Sequence, residues 1–341
     1  MAESKPNKEA APAKVIHVAP GPHVVSTSLT TRRMMLDVLI GLTPALIVSL
    51  VVFQLYAAIQ LALAVGSCVA AEAIFTKMRR KPLTLGDFSA VVTGVILAFS
   101  LPGTTPAYVT IIAGFVAVGL GKIIFGGVGM NLFNPAMVGR AFVMIAFTAA
   151  LGATAYVDQS ADAADAISQA TPMTAIYTPV KAGLTENVPD GTLMKLLLGN
   201  HNGSLGETSA LALLIGGLYL CIRKTAAWQI PAGAFVGLGV YAGILNVMNM
   251  DTEWTMLHHL LGGAFMLGAF FIITDPVSSP LTPKGRFIFG LIFGVLVMFL
   301  RQFSAYPEGV MFSVLLVNAI APLLNRWTIP TPIGGPVPER K

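Results

Sequence analysis

The feature that most constrains the fold of this chain is a succession of long apolar stretches bounded by glycine, proline or charged residues. About ten of them approach the length of about 20 residues that a helix needs to cross a bilayer. They lie at 36–55, 57–75, 85–101, 106–123, 135–151, 208–222, 228–248, 256–273, 286–301 and 309–325. Only 11% of the 341 residues are charged, whereas soluble proteins average about 25%. The sequence therefore predicts an all-α, multi-pass protein surrounded by membrane lipid.

The distribution of charge predicts how these helices are oriented. Lysines and arginines follow alternate predicted helices, at Lys77, Arg79, Arg80, Lys81, Lys122, Arg140, Arg223, Lys224, Lys284, Arg286 and Arg326. The loop 152–207 is instead mainly acidic. By the positive-inside rule, we predict that both termini are cytoplasmic and that this loop lies outside. Because the net charge of +5 is then a topology signal, we do not expect nucleic-acid binding.

The order of the helices predicts an inverted repeat of five plus five. The segment Ser100-Leu-Pro-Gly-Thr104-Thr105-Pro106 separates helices 3 and 4, and Thr274-Asp-Pro-Val-Ser278-Ser279-Pro280 separates helices 8 and 9. An odd offset turns the second copy upside down, as in many transporters. The alternative is that proline and serine simply mark helix ends. The predicted organisation is a polar cytoplasmic tail (1–33), a first repeat (34–151), an outer loop (152–207), a second repeat (208–326) and a second cytoplasmic tail (327–341).

The sequence predicts neither a metal centre nor a nucleotide-binding domain. Cys68 and Cys221 stand alone in apolar stretches, without the C-x-x-C spacing or nearby histidine that zinc and iron–sulfur sites use. No glycine fingerprint follows a predicted strand. We therefore expect no metal and no catalytic residue, and any electrons that pass through this chain need an organic cofactor.

A short motif in the outer loop is the strongest indication of such a cofactor. The segment Asp165-Ala-Ile-Ser168-Gln-Ala170-Thr171 is rich in turn-forming residues and is followed by a proline. It resembles the Asp-x-x-Ser/Thr-Gly-Ala-Thr signature at which a transferase joins FMN to threonine through a phosphoester bond. That signature is found in a family of membrane proteins that includes the D subunit of the Rnf electron-transport complex and the B subunit of the sodium-pumping NADH:quinone reductase.

The resemblance implies that Thr171 carries FMN. Asp165, Ser168 and Ala170 are then the rest of the attachment motif, while Gln169 stands where the family usually has glycine. Thr174 and Thr178 are the alternative acceptors on the same loop. The motif alone is also compatible with a Ser/Thr-rich loop that has no chemistry.

Further segments carry the same resemblance, which extends from about residue 22 to residue 325. They are 125–140, which contains Gly126, Gly127, Gly129, Asn131 and Asn134, then 274–286 and 306–318. The glycines let the backbone approach a planar ligand, and the two asparagines offer donors and acceptors for its edges. In the family this region lies at a noncovalent riboflavin and quinone site near the cytoplasmic face, so the resemblance implies a second flavin, riboflavin. Either asparagine can instead be the N-cap of a helix that starts at Pro135.

The sequence places no carboxylate at the centre of a predicted helix, so we do not expect a carboxylate proton relay. Asp275 is expected either to form a surface ion pair with Lys284 and Arg286 or to contact a ligand. A sodium ion would then be held by hydroxyl and carbonyl oxygens at the two proline turns. The candidate ion-path residues are Thr104, Thr105, Ser278, Ser279 and Asn318.

The resemblance implies a membrane component of a redox-driven, ion-translocating ferredoxin:NAD oxidoreductase, coupled to Na⁺ or H⁺, in the bacterial cytoplasmic (inner) membrane. The implied partners are the membrane pair of A and E subunits, the outer, flavin-bearing G subunit and the cytoplasmic B and C subunits, with a flavin transferase for maturation. Two alternatives stay open. One is the B subunit of the quinone reductase, which usually has a longer N-terminal extension, and the other is a flavin-free channel or transporter with the same repeat.

Overall fold

The computed structural model describes residues 30–151, 171–181, 188–199, 201, 203–247, 254–304 and 308–330, and all regular elements among them are helical. The α-helices are α1 (Thr31–Met78), α2 (Ser89–Phe99), α3 (Ala107–Val118), α4 (Pro135–Ala146), α5 (Thr178–Lys181), α6 (Thr192–Leu198), α7 (Ala210–Ile222), α8 (Gln229–Val247), α9 (Met256–Leu261), α10 (Phe265–Leu267), α11 (Pro283–Phe303) and α12 (Val310–Thr328). Turns of 3₁₀-helix span Leu85–Asp87 and Thr148–Leu151, and π-helical turns span Gly119–Ile123, Met173–Tyr177 and Gly268–Ile272.

Among the described residues, α1, α11 and α12 are each long and apolar enough to cross a membrane. Shorter apolar helices accompany them, among them α2, α4 and α7. The described helices therefore agree with the predicted all-α membrane protein.

Helix α1 consists of two antiparallel arms, 31–53 and 55–78. Gln54 breaks the helix between them with φ 47° and ψ −121°. Met34 of the first arm lines the same cavity as Lys122, and the Lys122 ammonium contacts Glu72 near the end of the second arm. Both ends of α1 therefore lie at the same end of the molecule. The chain reverses at Gln54, where the first predicted span ends.

Glycines bring the backbones of α8 and α11 into contact. Both helices carry a G-x-x-x-G spacing, with Gly233 and Gly237 on α8 and Gly290 and Gly294 on α11. A Cβ atom built on Gly237 would lie 2.2 Å from the carbonyl oxygen of Leu291. Because a side chain does not fit there, the close approach of the two helices depends on glycine, as it does in many membrane helix pairs.

We expect Gly237→Ala to destabilise the protein, although alanine favours a helix over glycine by about 0.8–1 kcal/mol. The added methyl group has to displace the backbone at Leu291, and overpacking of this kind costs about 1–3 kcal/mol. Gly243→Ala on the same helix is the matched control, because nothing lies within 4 Å of a Cβ atom there. Thermal unfolding of both variants in detergent, followed by intrinsic fluorescence, measures the difference. Equal transition temperatures would contradict the packing described here.

The two proline turns lie at opposite ends of α2. The turn 100–106 follows the C-terminal end of α2, and there the N–H of Leu205 donates to the carbonyl oxygen of Leu101 at 3.2 Å. The turn 274–280 lies at the other end, because Thr274 lines the same cavity as Ser89, the first residue of α2. The two turns are therefore separated by the length of α2.

Candidate functional site

Thr171 begins a short helical segment, residues 171–181, which we call the threonine segment. The Thr171 hydroxyl oxygen accepts a hydrogen bond from the N–H of Thr174 at 3.3 Å and lies 3.2 Å from the Thr174 hydroxyl. Pro172 follows with helical dihedral angles. This arrangement is typical of a threonine N-cap followed by proline at N1. Thr171 is only 4% exposed, whereas the sequence led us to expect an exposed turn.

The threonine segment packs on a cluster of side chains that we call the aromatic cluster, formed by Tyr177, Trp254, His258 and His259. The ring of Tyr177 lies 4.9 Å from that of His259 and 5.8 Å from that of Trp254, between centroids. All four side chains are buried, and the Tyr177 hydroxyl donates to the side-chain oxygen of Gln302 at 3.0 Å. The threonine segment is thereby fixed against the start of α9 and the end of α11.

Two polar atoms of the aromatic cluster have no hydrogen-bond partner among the described residues. They are Nε1 of Trp254 and Nδ1 of His259, both fully buried. Because buried polar groups normally pair, these atoms are able to receive a polar group of a ligand beside the threonine segment.

The rest of the predicted attachment motif, Asp165, Ser168 and Ala170, lies outside the described residues. Both alternative acceptors are described. Thr178 is exposed and its hydroxyl donates to the carbonyl oxygen of Met173 at 3.1 Å, while Thr174 is half-buried.

A second candidate region is a cavity between the first arm of α1, α2, α7 and the turn 274–277, here called the inner cavity. Its apolar lining includes Val92, Ile96, Leu220 and Phe271, and its polar lining includes Ser89, Lys122, Asn131, Asn134, Thr225 and Asp275. Apolar walls with a few polar groups are the usual form of a cofactor site. The turn 124–134, here called the glycine-rich turn, borders this cavity through Val128 and Asn131.

The glycine-rich turn needs glycine for its backbone path. Gly126, Gly127 and Gly129 have φ angles of 130°, 113° and 90°. Other residues rarely adopt such angles. The turn therefore places its backbone at the inner cavity in a shape that larger residues would strain.

Asn134 is the N-cap of α4. Its side-chain oxygen accepts hydrogen bonds from the N–H groups of Ala136 at 3.1 Å and Met137 at 3.4 Å. Its side-chain nitrogen donates to the carbonyl oxygen of Ile272 at 3.3 Å. Both the oxygen and the nitrogen of this amide are therefore hydrogen-bonded within the protein. Of the two predicted roles, Asn134 has that of helix cap.

Asn131 and Asp275 face each other at the inner cavity. The Asn131 side-chain nitrogen donates to the Asp275 carboxylate at 3.4 Å, and the Ser278 hydroxyl donates to the same carboxylate at 3.1 Å. The expected surface ion pair of Asp275 with Lys284 and Arg286 is therefore wrong. The turn folds inward and satisfies the carboxylate locally, while the Nε of Arg286 donates to a backbone carbonyl at 3.0 Å.

The predicted ion-path residues fall into two separate places. Thr104 and Thr105 belong to the turn after α2, whereas Ser278, Ser279 and Asn318 lie at the opposite end of that helix. The structure therefore does not bring the five residues into one site.

Asn318 ties three elements together. Its side-chain nitrogen donates to the carbonyl oxygen of Ser278 at 3.2 Å, and its oxygen accepts from the N–H of Asn134 at 3.1 Å. Asn318 is fully buried. Both ends of its amide are thus used to join α12 to the turn 274–280 and to the start of α4.

Lys122 and Glu72 form a buried ion pair. The ammonium lies 2.8 and 2.9 Å from the two Glu72 carboxylate oxygens and donates to the Ser89 hydroxyl at 2.6 Å. The two side chains are 4% and 1% exposed. Lys122 therefore lies just before the turn 124–134, but its side chain is buried and paired with Glu72. The sequence signal was present, since each residue interrupts a predicted apolar span.

Arg140 corrects an expectation, because it lies within α4 instead of following a helix. Its guanidinium donates to the Glu308 carboxylate at 2.9 Å, although Glu308 lies at the predicted outer end of a helix. The other Glu308 oxygen accepts from the N–H of Ala264 at 3.1 Å. The reason is geometric: Arg140 lies in the second turn of α4, beyond the cap, and points across to the start of α12.

Arg301 and Glu207 complete what we call the charge network, Arg140, Glu207, Arg301 and Glu308. Arg301 is buried and donates to the backbone carbonyl oxygens of His259 and of Gly262, the latter at 2.8 Å. Glu207, 3% exposed, accepts from the Ser204 hydroxyl. Burial, followed by the charge of Glu308, raises the pKa of Glu207 well above its usual range.

Among the described residues, no three His, Cys, Asp or Glu side chains come together in an arrangement suited to a metal ion.

Comparison with known proteins gives a consistent result. The model of the NQR2, RnfD, RnfE family matches residues 17–334. The D subunit of the Na⁺-translocating ferredoxin:NAD⁺ oxidoreductase complex of Acetobacterium woodii is 38% identical over 311 residues, which cover 91% of this chain and 93% of the relative. The D subunit of the proton-translocating ferredoxin:NAD⁺ oxidoreductase complex of Clostridium ljungdahlii is 35% identical over 340 residues, which cover 98% and 99%. The D subunit of the ion-translocating oxidoreductase complex of Actinobacillus succinogenes is 36% identical over 344 residues, which cover 92% and 96%.

Proposed function

The chain belongs to the NQR2, RnfD, RnfE family, and from this we propose that it is the membrane-embedded D subunit of an ion-translocating ferredoxin:NAD oxidoreductase complex. The observation that carries the proposal is nearly end-to-end similarity to D subunits whose names give this activity. One of these relatives is named for Na⁺ and the other for H⁺. The similarity therefore supports coupling to an ion but does not indicate which of the two ions it is.

The proposed topology is ten membrane-spanning segments in two inverted groups of five. The two arms of α1 with α2, α3 and α4 form the first group, and α7, α8, the broken helix 256–272, α11 and α12 form the second. The position of the two proline turns at opposite ends of α2 supports the inversion. The inner cavity then faces the cytoplasm, and the threonine segment lies at the outer face of a bacterial cytoplasmic membrane.

The proposed site of covalent FMN is the hydroxyl of Thr171. The resemblance of 165–171 to the attachment signature and the aromatic cluster on which the threonine segment packs support it. When bound, FMN supplies the ability to accept and pass electrons one at a time. Thr171 anchors the cofactor, Tyr177 offers an aromatic surface on the same segment, and the unpartnered nitrogens of Trp254 and His259 offer polar contacts.

The burial of Thr171 implies an order of events in maturation. A transferase needs access to the hydroxyl, and Thr171 is 4% exposed when the threonine segment is docked. Attachment of FMN therefore precedes docking of this segment on α9 and α11, or requires the segment to lift.

The proposed site of a second, noncovalent flavin, riboflavin, is the inner cavity. Its apolar walls suit the ring system, and the side chains of Asn131 and Thr225 together with the Asp275 carboxylate offer polar contacts. The side-chain amide of Asn134 is engaged in the cap of α4. Asn134 therefore contributes to this site by fixing the position of that helix. The hydroxyl groups at Thr104, Thr105, Ser278 and Ser279 stay proposed ion contacts, as two sites at opposite ends of α2.

The proposed partners are the other components of the complex: the membrane pair of A and E subunits, the outer, flavin-bearing G subunit and the cytoplasmic B and C subunits. A flavin transferase acts on the chain before assembly. Electrons then reach this chain from partners, because its described residues form no nucleotide-binding domain.

The experiment that tests this function is deletion of the chain in a bacterial host, followed by restoration with an affinity-tagged copy. Ferredoxin-dependent reduction of NAD⁺ by isolated membranes is expected to disappear on deletion and to return with the tagged copy, which should co-purify with redox-active subunits. Unchanged activity after deletion would refute the proposal. Loss of Na⁺-dependent quinone reduction by NADH instead would identify the quinone reductase alternative.

A further inference from the structure

A second pocket opens beside the inner cavity, where the chain passes from α7 to α8, and we call it the basic pocket. Its volume is about 610 Å³, within the range of about 300–1,000 Å³ that is typical of ligand sites. It shares Met34, Thr225 and Thr274 with the lining of the inner cavity. Its lining also includes Lys224, just after α7, and Arg286, in the first turn of α11. Two cations from separate elements therefore border one pocket.

The two cations have no counter-charge in the basic pocket. No carboxylate of the described chain belongs to its lining, and neither Lys224 nor Arg286 forms an ion pair with any residue that the structure describes. Two acids lie nearby. Asp37 is already paired with Arg223 at 3.4 Å, and Asp275 lines the inner cavity instead, where neutral groups donate to it. The basic pocket is therefore suited to an anionic group.

Lys224 occupies a backbone position that favours glycine. Its φ is 59°, and the N–H groups of Lys224 and Thr225 donate to the carbonyl oxygens of Cys221 and Leu220, both at 3.1 Å. This is the Schellman motif, in which the residue with positive φ is usually glycine. A lysine is strained there relative to glycine. The end of α7 therefore places a cation at the pocket where glycine would make the same turn with less strain.

The rim of the basic pocket is apolar and exposed. Trp228 is 63% exposed and Leu281 is 37% exposed, while Ile222, two residues before Lys224, is 79% exposed. On a chain that spans a membrane, exposed apolar side chains contact lipid tails, and tryptophan is typical of the boundary between membrane and water. Cations beside such a rim lie at the level of the lipid headgroups. The pocket therefore combines the contacts that a phosphate group and an acyl chain need.

We propose that the basic pocket binds an anionic phospholipid, with its phosphate group between Lys224 and Arg286 and its acyl chains along Trp228 and Leu281. The ammonium group offers three N–H donors and the guanidinium group a planar fork of donors, so both match phosphate oxygens. The Nε of Arg286 donates to the carbonyl oxygen of Pro280 at 3.0 Å, which orients the guanidinium group. The proposal depends only on the membrane-spanning character of the chain, and neither a flavin nor a coupling ion enters it.

Lys224→Gly tests the proposal, because it removes the ammonium group and also relieves the strain at φ 59°. The purified full-length chain, freed of lipid, is mixed in detergent with dioleoyl phosphatidylglycerol, and native mass spectrometry measures the protein with one bound lipid. The variant is expected to bind this lipid about fivefold more weakly, which is the usual effect of one cation at a lipid surface. Arg286→Gln should give a similar loss. Without lipid, Lys224→Gly should unfold at a temperature no lower than the wild type, so that weaker binding is not a folding defect.

Arg80→Gly is the matched control. Arg80 has the same place in the Schellman motif at the end of α1, with φ 54°, but it does not line the basic pocket. This variant should bind phosphatidylglycerol as the wild type does. An equal loss in Arg80→Gly would overturn the proposal, because attraction to the total charge would then explain the binding.

Two other ligands distinguish the source of the phosphate group. Zwitterionic dioleoyl phosphatidylcholine should bind more weakly than phosphatidylglycerol, and equal binding of the two lipids would overturn the role of the cations. Glycerol phosphate carries the anionic group without acyl chains, so it should not displace the lipid at equal concentration. If it does, the ligand of the basic pocket is a soluble phosphate compound, and the assignment to a lipid is wrong.

Discussion

Replacing Thr171 with alanine is expected to remove all covalently bound flavin from the protein, because the phosphoester bond has no other oxygen at that position. The variant keeps the fold, since loss of an N-cap hydroxyl costs only about 0.5–2 kcal/mol. The measurement is flavin fluorescence of the denatured polypeptide after co-expression with a flavin transferase. Mass spectrometry of the peptide that contains residue 171 then identifies the modified residue.

The matched control is Thr174→Ala, which removes the neighbouring hydroxyl 3.2 Å from that of Thr171. It should keep its fluorescence. Fluorescence that survives in Thr171→Ala and is lost in Thr174→Ala or Thr178→Ala would move the attachment site along the segment. A wild-type protein without fluorescence would refute covalent flavin and favour the flavin-free transporter.

The sequence predicted the helical class well because hydropathy and chain length act locally along each span. Even the reversal at Gln54 was foreseeable, since two spans do not fit one straight helix across a bilayer. The dihedral angles of Gln54 were not foreseeable, because glutamine has no particular preference for φ 47°. Likewise, the G-x-x-x-G spacing on α8 and α11 is visible in the sequence, but its partner helix is set only by the tertiary fold.

The buried charges show where sequence reasoning fails in a membrane protein. Assignment of a charge to a loop uses its position along the chain, whereas Arg140 reaches Glu308 across 168 positions. Glu207 and Glu308 each lie just before a helix, where a charge is normally solvated. Here other elements cover both helix starts, so Glu308 pairs with Arg140 and Glu207 accepts from the Ser204 hydroxyl within the protein. A lone ionisable residue beside an apolar span is therefore better interpreted as one member of a pair whose partner is distant in sequence.

The two asparagines show that residues with the same two predicted roles can each take a different one in the structure. Asn134 and Asn131 both precede Pro135 and both looked suited to capping or ligand binding. The cap requires the residue immediately before the first helical position, which is Asn134, and its amide is fully engaged there. Asn131, three positions earlier, is left to line the inner cavity beside Asp275.

Lys122→Met is expected to destabilise the protein by about 3–5 kcal/mol, the cost of leaving one member of a buried ion pair without its partner. Glu72 would then keep the hydrogen bond from the Thr84 hydroxyl at 2.6 Å. Lys77→Met is the control, because Lys77 is exposed on the second arm of α1 and surface changes usually stay within about 0.5 kcal/mol. Thermal unfolding of the purified chain, followed by intrinsic fluorescence, measures both variants.

The double variant Glu72→Gln with Lys122→Met separates the ion pair from simple packing. A neutral amide removes the uncompensated charge, so the double variant should recover most of the stability that Lys122→Met loses, and the two substitutions should be strongly non-additive. The inner cavity provides an independent readout, because Lys122 and Ser89 line it and are bonded at 2.6 Å. Riboflavin that co-purifies with the wild type should fall in Lys122→Met and return, at least in part, in the double variant. If the stability losses of the two substitutions are additive, Lys122 stabilises the protein through the packing of its aliphatic chain. The ion pair would then not contribute to holding α1 against the start of α2.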